Sequence, residues 1–220
     1  MAEFIPRYIE GLAARCRDYT RPKKFTRVML AAIRGLIQTA GDGLMTNEQR
    51  LYSTLQQQLA IPEAALRDSF RSFAADGLDT LQELVRPIPL ARKILHGCQA
   101  RGVPLVLATN PVFPEFMIQA RLRWGNLGDI SFNYLTSFEN SCFCKPQPEY
   151  FREVATQLGV APERCLMVGN DTSHDLSAVA VGMKTFLVDT WIVEREGPDW
   201  PCEHRGDHAA LYQFLQQQLV

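Results

Sequence analysis

Two carboxylates, Asp171 and Asp175, follow the apolar run Cys165-Leu166-Met167-Val168-Gly169 with three residues between them. The run reads as a short buried strand, Gly169 lets the backbone turn, and the acids fall in the loop beyond. Ligands of an open parallel sheet sit past the carboxyl ends of its strands, so this pair suits a hard cation such as Mg²⁺, held through oxygen. A plain turn competes with that reading: Asp171 would cap the next helix and Asp175 would face solvent. Two further stretches bear on the choice. Val103-Pro104-Leu105-Val106-Leu107-Ala108 ends abruptly in Thr109-Asn110-Pro111, and Cys144-Lys145-Pro146-Gln147-Pro148 fixes a lysine just ahead of a helical pattern. Each alone fits a strand-ending turn or a solvent-facing lysine. In this order, hydroxyl and amide, then ammonium, then paired carboxylates make a candidate phosphate and Mg²⁺ site.

The set resembles the haloacid dehalogenase (HAD) superfamily, whose second, third and fourth motifs are a Thr or Ser after a strand, a Lys often followed by Pro, and an acidic Gly-Asp loop. The resemblance covers about residues 89–190, and the joint order is more specific than any one motif. It implies that Thr109 donates its hydroxyl to a phosphoryl oxygen, with Asn110 as a second donor, and that Lys145 balances charge between phosphate and nucleophile. It also implies Asp171 as a Mg²⁺ ligand, and Asp175 either as a ligand or as an acceptor that holds Lys145 or metal-bound water. Asn170 takes the ligand position instead if the spacing to Asp175 is four residues. His174, in the same loop, reads more readily as a solvated or locally hydrogen-bonded histidine than as a base. The activity implied is a Mg²⁺-dependent phosphatase that acts on a small phosphorylated metabolite through an aspartyl phosphate. A metal-free 2-haloacid dehalogenase is an alternative that makes less use of both carboxylates. A non-catalytic phosphate-binding or regulatory protein is another.

One part of the pattern is missing. The superfamily's first motif is a strand running into Asp-x-Asp, and its first Asp is the nucleophile. Asp76-Gly77-Leu78-Asp79 has the wrong spacing and no preceding strand, and Asp189-Thr190-Trp191 lacks the second acid. The expectation is a chain truncated at its front, with Met1 an internal methionine of a longer reading frame. In the resembled fold that strand lies mid-sheet, so its loss leaves backbone groups unpaired. Each such buried group costs on the order of 1–3 kcal/mol against a domain stability of about 5–15 kcal/mol, so the chain is expected to be marginal or prone to aggregate.

The 220 residues carry a formal net charge of −1, which argues against a general nucleic-acid or membrane surface. No apolar run approaches the roughly 20 residues of a membrane helix, no secretory pattern opens the chain, and a cytoplasmic location is expected. The six cysteines, scattered through a chain with 46% hydrophobic residues, read as small, mostly buried side chains. Cys142-Phe143-Cys144 lacks a second pair, and Cys202 with His204 and His208 lacks a fourth ligand, so no zinc site is expected.

Residues 1–86 read as helices throughout and are expected to form a helical cap domain, which in the resembled family closes over the site. Phe4, Ile5, Tyr8, Ile9, Leu12 and Cys16 fall at helical spacing, as do Val28, Met29, Ala32, Ile33, Leu36 and Ile37. Thr46 with Gln49 forms a capping box, and Pro62 opens a helix that Gly77 stops. Residues 87–220 alternate helix and strand. Strands are expected over 103–108, 134–138, 166–168 and 185–188, a polar loop over 192–206, and a last helix over 209–219. The fold expected is α/β: a doubly wound, Rossmann-like parallel sheet lacking its first strand, with an all-helical cap.

Overall fold

In a computed structural model, which describes residues 3–218, the chain divides into two compact units. The first comprises 1–87, 111–129 and 137–142; the second comprises 88–110, 130–136 and 143–220.

The first unit is helical. It contains α1 (Phe4–Arg15), α2 (Pro22–Gln38), α3 (Asn47–Leu59), α4 (Glu63–Ser72) and, from a later part of the chain, α6 (Glu115–Trp124). Proline at the first helical position of α2 gives up an N–H that would have no partner there. Before α3, the Thr46 hydroxyl accepts from Gln49 N while the Gln49 side chain accepts from Thr46 N, which completes the capping box. The apolar stripes of these helices face one another: Tyr8, Ile9, Leu12, Phe25, Met29, Leu51, Leu55 and Leu66 are fully buried. Aromatic rings join the segments. Phe70 lies 5.4 Å from Tyr52 and stacks at 6.2 Å on Phe138, and Tyr8 lies 5.5 Å from Phe113. Phe113 and Phe138 bring the later segments into this core. The chain does not stop at Gly77: α4 runs on through a π turn (Phe73–Gly77) into a 3₁₀ helix (Leu78–Leu84). Phe73 and Leu81, buried on either side of Gly77, hold the backbone in helical turns past the glycine.

The second unit is α/β, with α5 (Pro89–Ala100), β1 (Val106–Leu107), β2 (Tyr134–Leu135), α7 (Pro148–Leu158), β3 (Leu166–Gly169), β4 (Lys184–Val188), β5 (His204–Gly206) and α8 (His208–Gln218). All pairings are parallel; β3 joins β4 through a 3₁₀ helix (Leu176–Val181), and β4 joins β5 through a long loop without a helix. The strands form two sheets, one of order β1-β2 and one of order β3-β4-β5. β5 corrects the expected loop over 192–206. His204 is paired with Phe186 and its ring packs 4.4 Å from Phe214, contacts that lie far along the chain and leave no local pattern. One face of the unit packs Tyr150, Phe151, Val154 and Ala155 of α7 with Val106, Ala108, Tyr134, Cys165 and Met167. The other packs Ile94, Cys98 and Leu211 of α5 and α8 with Leu105, Leu166, Phe186 and Val188.

Candidate active site

The second unit assembles all five residues singled out for chemistry at the carboxyl ends of β1 and β3. Lys145 connects them. Only 6% exposed, its Nζ donates to Ala108 O at 2.9 Å, where β1 ends, and to Asp175 Oδ1 at 2.6 Å, beyond β3. The lysine precedes Pro146 through a cis peptide bond, and α7 starts at Pro148.

Asp175 is fully committed. Its Oδ2 accepts the Asn170 and Asp171 N–H groups at 2.9 and 3.0 Å while Oδ1 holds Lys145. The carboxylate therefore lies against Gly169, where a Cβ would come within 2.1 Å of Oδ2. Glycine is required here for close approach, because its own φ is not positive.

Asp171 is 8% exposed, and its Oδ1 accepts the backbone N–H groups of Ser173 (3.1 Å) and His174 (2.8 Å). Its Oδ2 accepts from Arg195 Nε at 2.6 Å. Burial pushes this carboxyl up, but the His174 N–H and the Arg195 guanidinium outweigh it and hold the group below its ordinary range. His174 is likewise held below an ordinary histidine value: burial disfavours its charged form, and Arg195 and Lys145 add to this, against the pull of Asp171. Its Nδ1 lies 3.4 Å from Asn110 Nδ2.

Thr109 turns its hydroxyl to Thr136 O at 3.0 Å, and its own carbonyl accepts from the Tyr150 hydroxyl at 2.7 Å. Asn110 Nδ2 donates to Lys145 O at 3.3 Å, but its Oδ1 is buried without a hydrogen-bond partner. Asn170 Nδ2 donates to Trp191 O, which turns that side chain toward the 190s. Two participants escaped sequence reasoning. Tyr150 has an apolar neighbourhood in α7 that marks it as core, and Arg195 sits in a polar stretch whose bridge from Val193 to Asp171 has no local signature.

The chemistry this cluster supports is limited by its donors. Among the described residues no group of three or more His, Cys, Asp or Glu side chains is arranged around a metal. Mg²⁺ needs fewer: one or two carboxylates, with water and substrate oxygens supplying the rest. Asp171 Oδ2 is the carboxylate oxygen whose side-chain partner, Arg195, is 45% exposed. The buried, unpartnered Asn110 Oδ1 is a second oxygen of the right kind. The donor set fits a hard cation.

A lysine that bridges two strand ends, a strand-end hydroxyl and an acidic loop on a parallel α/β unit define a class of hydrolase scaffold. Residues 2–181 match the family of haloacid dehalogenase-like hydrolases, and the chain belongs to that family. It is similar to hexitol phosphatase B of Escherichia coli, 29% identical over 110 residues that make up 50% of this chain and 48% of the relative. Glyceraldehyde 3-phosphate phosphatase of Methanothermobacter thermautotrophicus is 28% identical over 118 residues, 51% of this chain and 49% of the relative. The chain thus spans about half the length of the curated relatives it matches. Among solved structures, a HAD phosphatase from Thermococcus onnurineus superposes with a TM-score of 0.59 at 17% identity, covering 100% of this chain and 91% of that one. The L-2-haloacid dehalogenase of Xanthobacter autotrophicus superposes with 0.54 at 17% identity, covering 95% and 93%. These likenesses establish the fold: an α/β core of HAD type with added helices.

Proposed function

We propose that this chain supplies the phosphate- and metal-binding part of a Mg²⁺-dependent phosphatase acting on small phosphorylated metabolites, with the attacking carboxylate lying outside the 220 residues. The observation that carries the reading is Lys145 Nζ, fixed between the end of β1 and Asp175. A buried ammonium at that point faces the region where strand ends and loop N–H groups converge, and it neutralises phosphoryl oxygens without any motion of its own. Asp175 is then a positioning residue that orients the lysine. Thr109 donates to a phosphoryl oxygen after its hydroxyl rotates off Thr136 O. Asp171 and Asn110 hold the cation, which would supply further positive charge toward the phosphoryl group. For Asp171 to serve, Arg195 must leave Oδ2. The names of the similar phosphatases support sugar- and triose-phosphate esters as the substrate class.

A second reading rests on the acid count. No third carboxylate joins Asp171 and Asp175 among the described residues, which favours a phosphate-binding protein without turnover. One experiment separates the two. The protein is titrated with hexitol phosphates and glyceraldehyde 3-phosphate in Mg²⁺, with bound ligand and released phosphate both measured. With the attacking carboxylate outside these residues, binding abolished by chelation and by Lys145→Ala supports the phosphatase part; binding that survives chelation supports the phosphate-binding protein; no binding would end both readings.

A further inference from the structure

Beyond β4 the chain turns back along the acidic loop. Val193 forms a parallel bridge with Asp171: its N–H donates to Asn170 O at 2.8 Å, and its carbonyl accepts from Thr172 N at 3.0 Å. The contact continues on either side of that bridge. Asn170 Nδ2 donates to Trp191 O, and Arg195 N donates to the Thr172 hydroxyl at 3.2 Å. Residues 191–195 are thus a strap laid along residues 170–172. None of these bonds uses the Arg195 side chain.

The strap decides where that side chain goes. With its own N–H fixed on Thr172, next to Asp171 in the chain, Arg195 brings Nε to Asp171 Oδ2 at 2.6 Å. The oxygen it meets is the significant one. Asp171 Oδ1 is taken by the Ser173 and His174 N–H groups, and Asp175 spends Oδ1 on Lys145 and Oδ2 on the Asn170 and Asp171 N–H groups. Among the described residues, Asp171 Oδ2 is therefore the carboxylate oxygen of this loop whose hydrogen-bond donor is a side chain that reaches solvent. A guanidinium keeps its charge at every working pH, so this oxygen carries a permanent cation. A second cation on the same oxygen is repelled, and because Asp171 is only 8% exposed, water screens that repulsion poorly. Arg195, at 45% exposure, has water beside it to take the place of the carboxylate, so parting the pair does not strand the guanidinium in an apolar interior.

We infer that Arg195 is a built-in competitor for the cation: the strap holds a guanidinium on Asp171 Oδ2, and Mg²⁺ gains that oxygen only by displacing it. Given Asp171 as the cation ligand, the reading on which this rests, Arg195 sets how much Mg²⁺ the loop needs. The strap stays anchored to Asn170 and Thr172 throughout, so the guanidinium returns to Oδ2 when the cation leaves.

The test measures the Mg²⁺ affinity of the whole chain by calorimetry, with no substrate present. Arg195→Gln should bind Mg²⁺ at least tenfold more tightly than the wild type, and Arg195→Lys, which keeps the charge, should give back most of that gain. Val193→Pro retains Arg195 but removes the N–H that pins the strap to Asn170, and should tighten binding as Arg195→Gln does. The Arg195 Nε–H resonance in NMR spectra, assigned by its loss in Arg195→Lys, reports displacement directly: it should move toward the position of a solvent-exposed arginine as Mg²⁺ saturates the protein. Five results would each overturn the competition and leave Asp171 standing as a cation ligand: equal affinity in wild type and Arg195→Gln, weaker binding in Arg195→Gln, equally tight binding by Arg195→Gln and Arg195→Lys, wild-type affinity in Val193→Pro, or an Nε–H resonance unmoved at saturation. Absence of Mg²⁺ binding in every one of these chains would overturn the competition and the cation reading together.

Discussion

The helical unit and the α/β unit bury their apolar residues to different degrees. In the first, helices from two chain segments and a loop from a third close around side chains such as Tyr8, Leu55 and Phe73, all 1% exposed or less. In the second, the strands fall into two small sheets, β1-β2 and β3-β4-β5, and every residue of β1 and β3 keeps some exposure. Helices satisfy their backbone internally, so a bundle needs only side-chain packing; a sheet must find partners for its edges. The unit that holds the candidate site is therefore the one whose stability depends on more than packing.

The comparison can be challenged at single residues. Phe70→Ala removes a ring held between Tyr52 and Phe138 and should cost about 4 kcal/mol in urea unfolding. A cost below about 1 kcal/mol would show that the helical core is loose and erase the contrast. Lys145→Met leaves Asp175 charged and buried without its ammonium, and should cost about 3 kcal/mol together with all phosphate binding. Adding Asp175→Asn to it should recover part of the stability and none of the binding. Gly169→Ala forces the Asp175 carboxylate away and should cost about 1–3 kcal/mol, read as a lowered Tm.

Acid should act on the α/β unit first. His174 binds its proton less readily when folded than at the ordinary value of 6.5, so the unfolded state takes up more protons below that pH and stability falls as pH falls through this range. Asp171 is also shifted down, so its contribution is lost lower, as pH drops below the ordinary 3.8 and through its folded value. His174→Gln should remove the first phase and leave the second; an unchanged first phase in a pH series of unfolding curves would contradict this. The smallest effect is expected in the helical unit. The Tyr8 hydroxyl is buried with no hydrogen-bond partner, so Tyr8→Phe should stabilise by about 1 kcal/mol in the same assay.

Much of this architecture is legible in the sequence where it is local. The capping box at Thr46, the prolines that open α2, α5 and α7, and the helix–strand alternation after residue 87 are carried by neighbouring residues. The features that escape are made by distant contacts. β5 exists because His204 pairs with Phe186, and Phe113 and Phe138 return to the helical unit through aromatic contacts that no composition shift announces. At the site, residue types and order pointed to Thr109, Asn110, Lys145, Asp171 and Asp175, but which oxygen meets which donor did not follow from spacing. Arg195 on Asp171 is visible only once the 190s fold back against the acidic loop.

The way the chain is threaded bears on synthesis. Because the helical unit borrows 111–129 and 137–142, α1 to α4 can form as they leave the ribosome, but Phe70 lacks its stacking partner until residue 138 has been made. At about 5–20 residues per second that is a wait of several seconds, with an open aromatic face exposed throughout. Slow codons ahead of residue 138 would lengthen the interval in which a chaperone must cover that face.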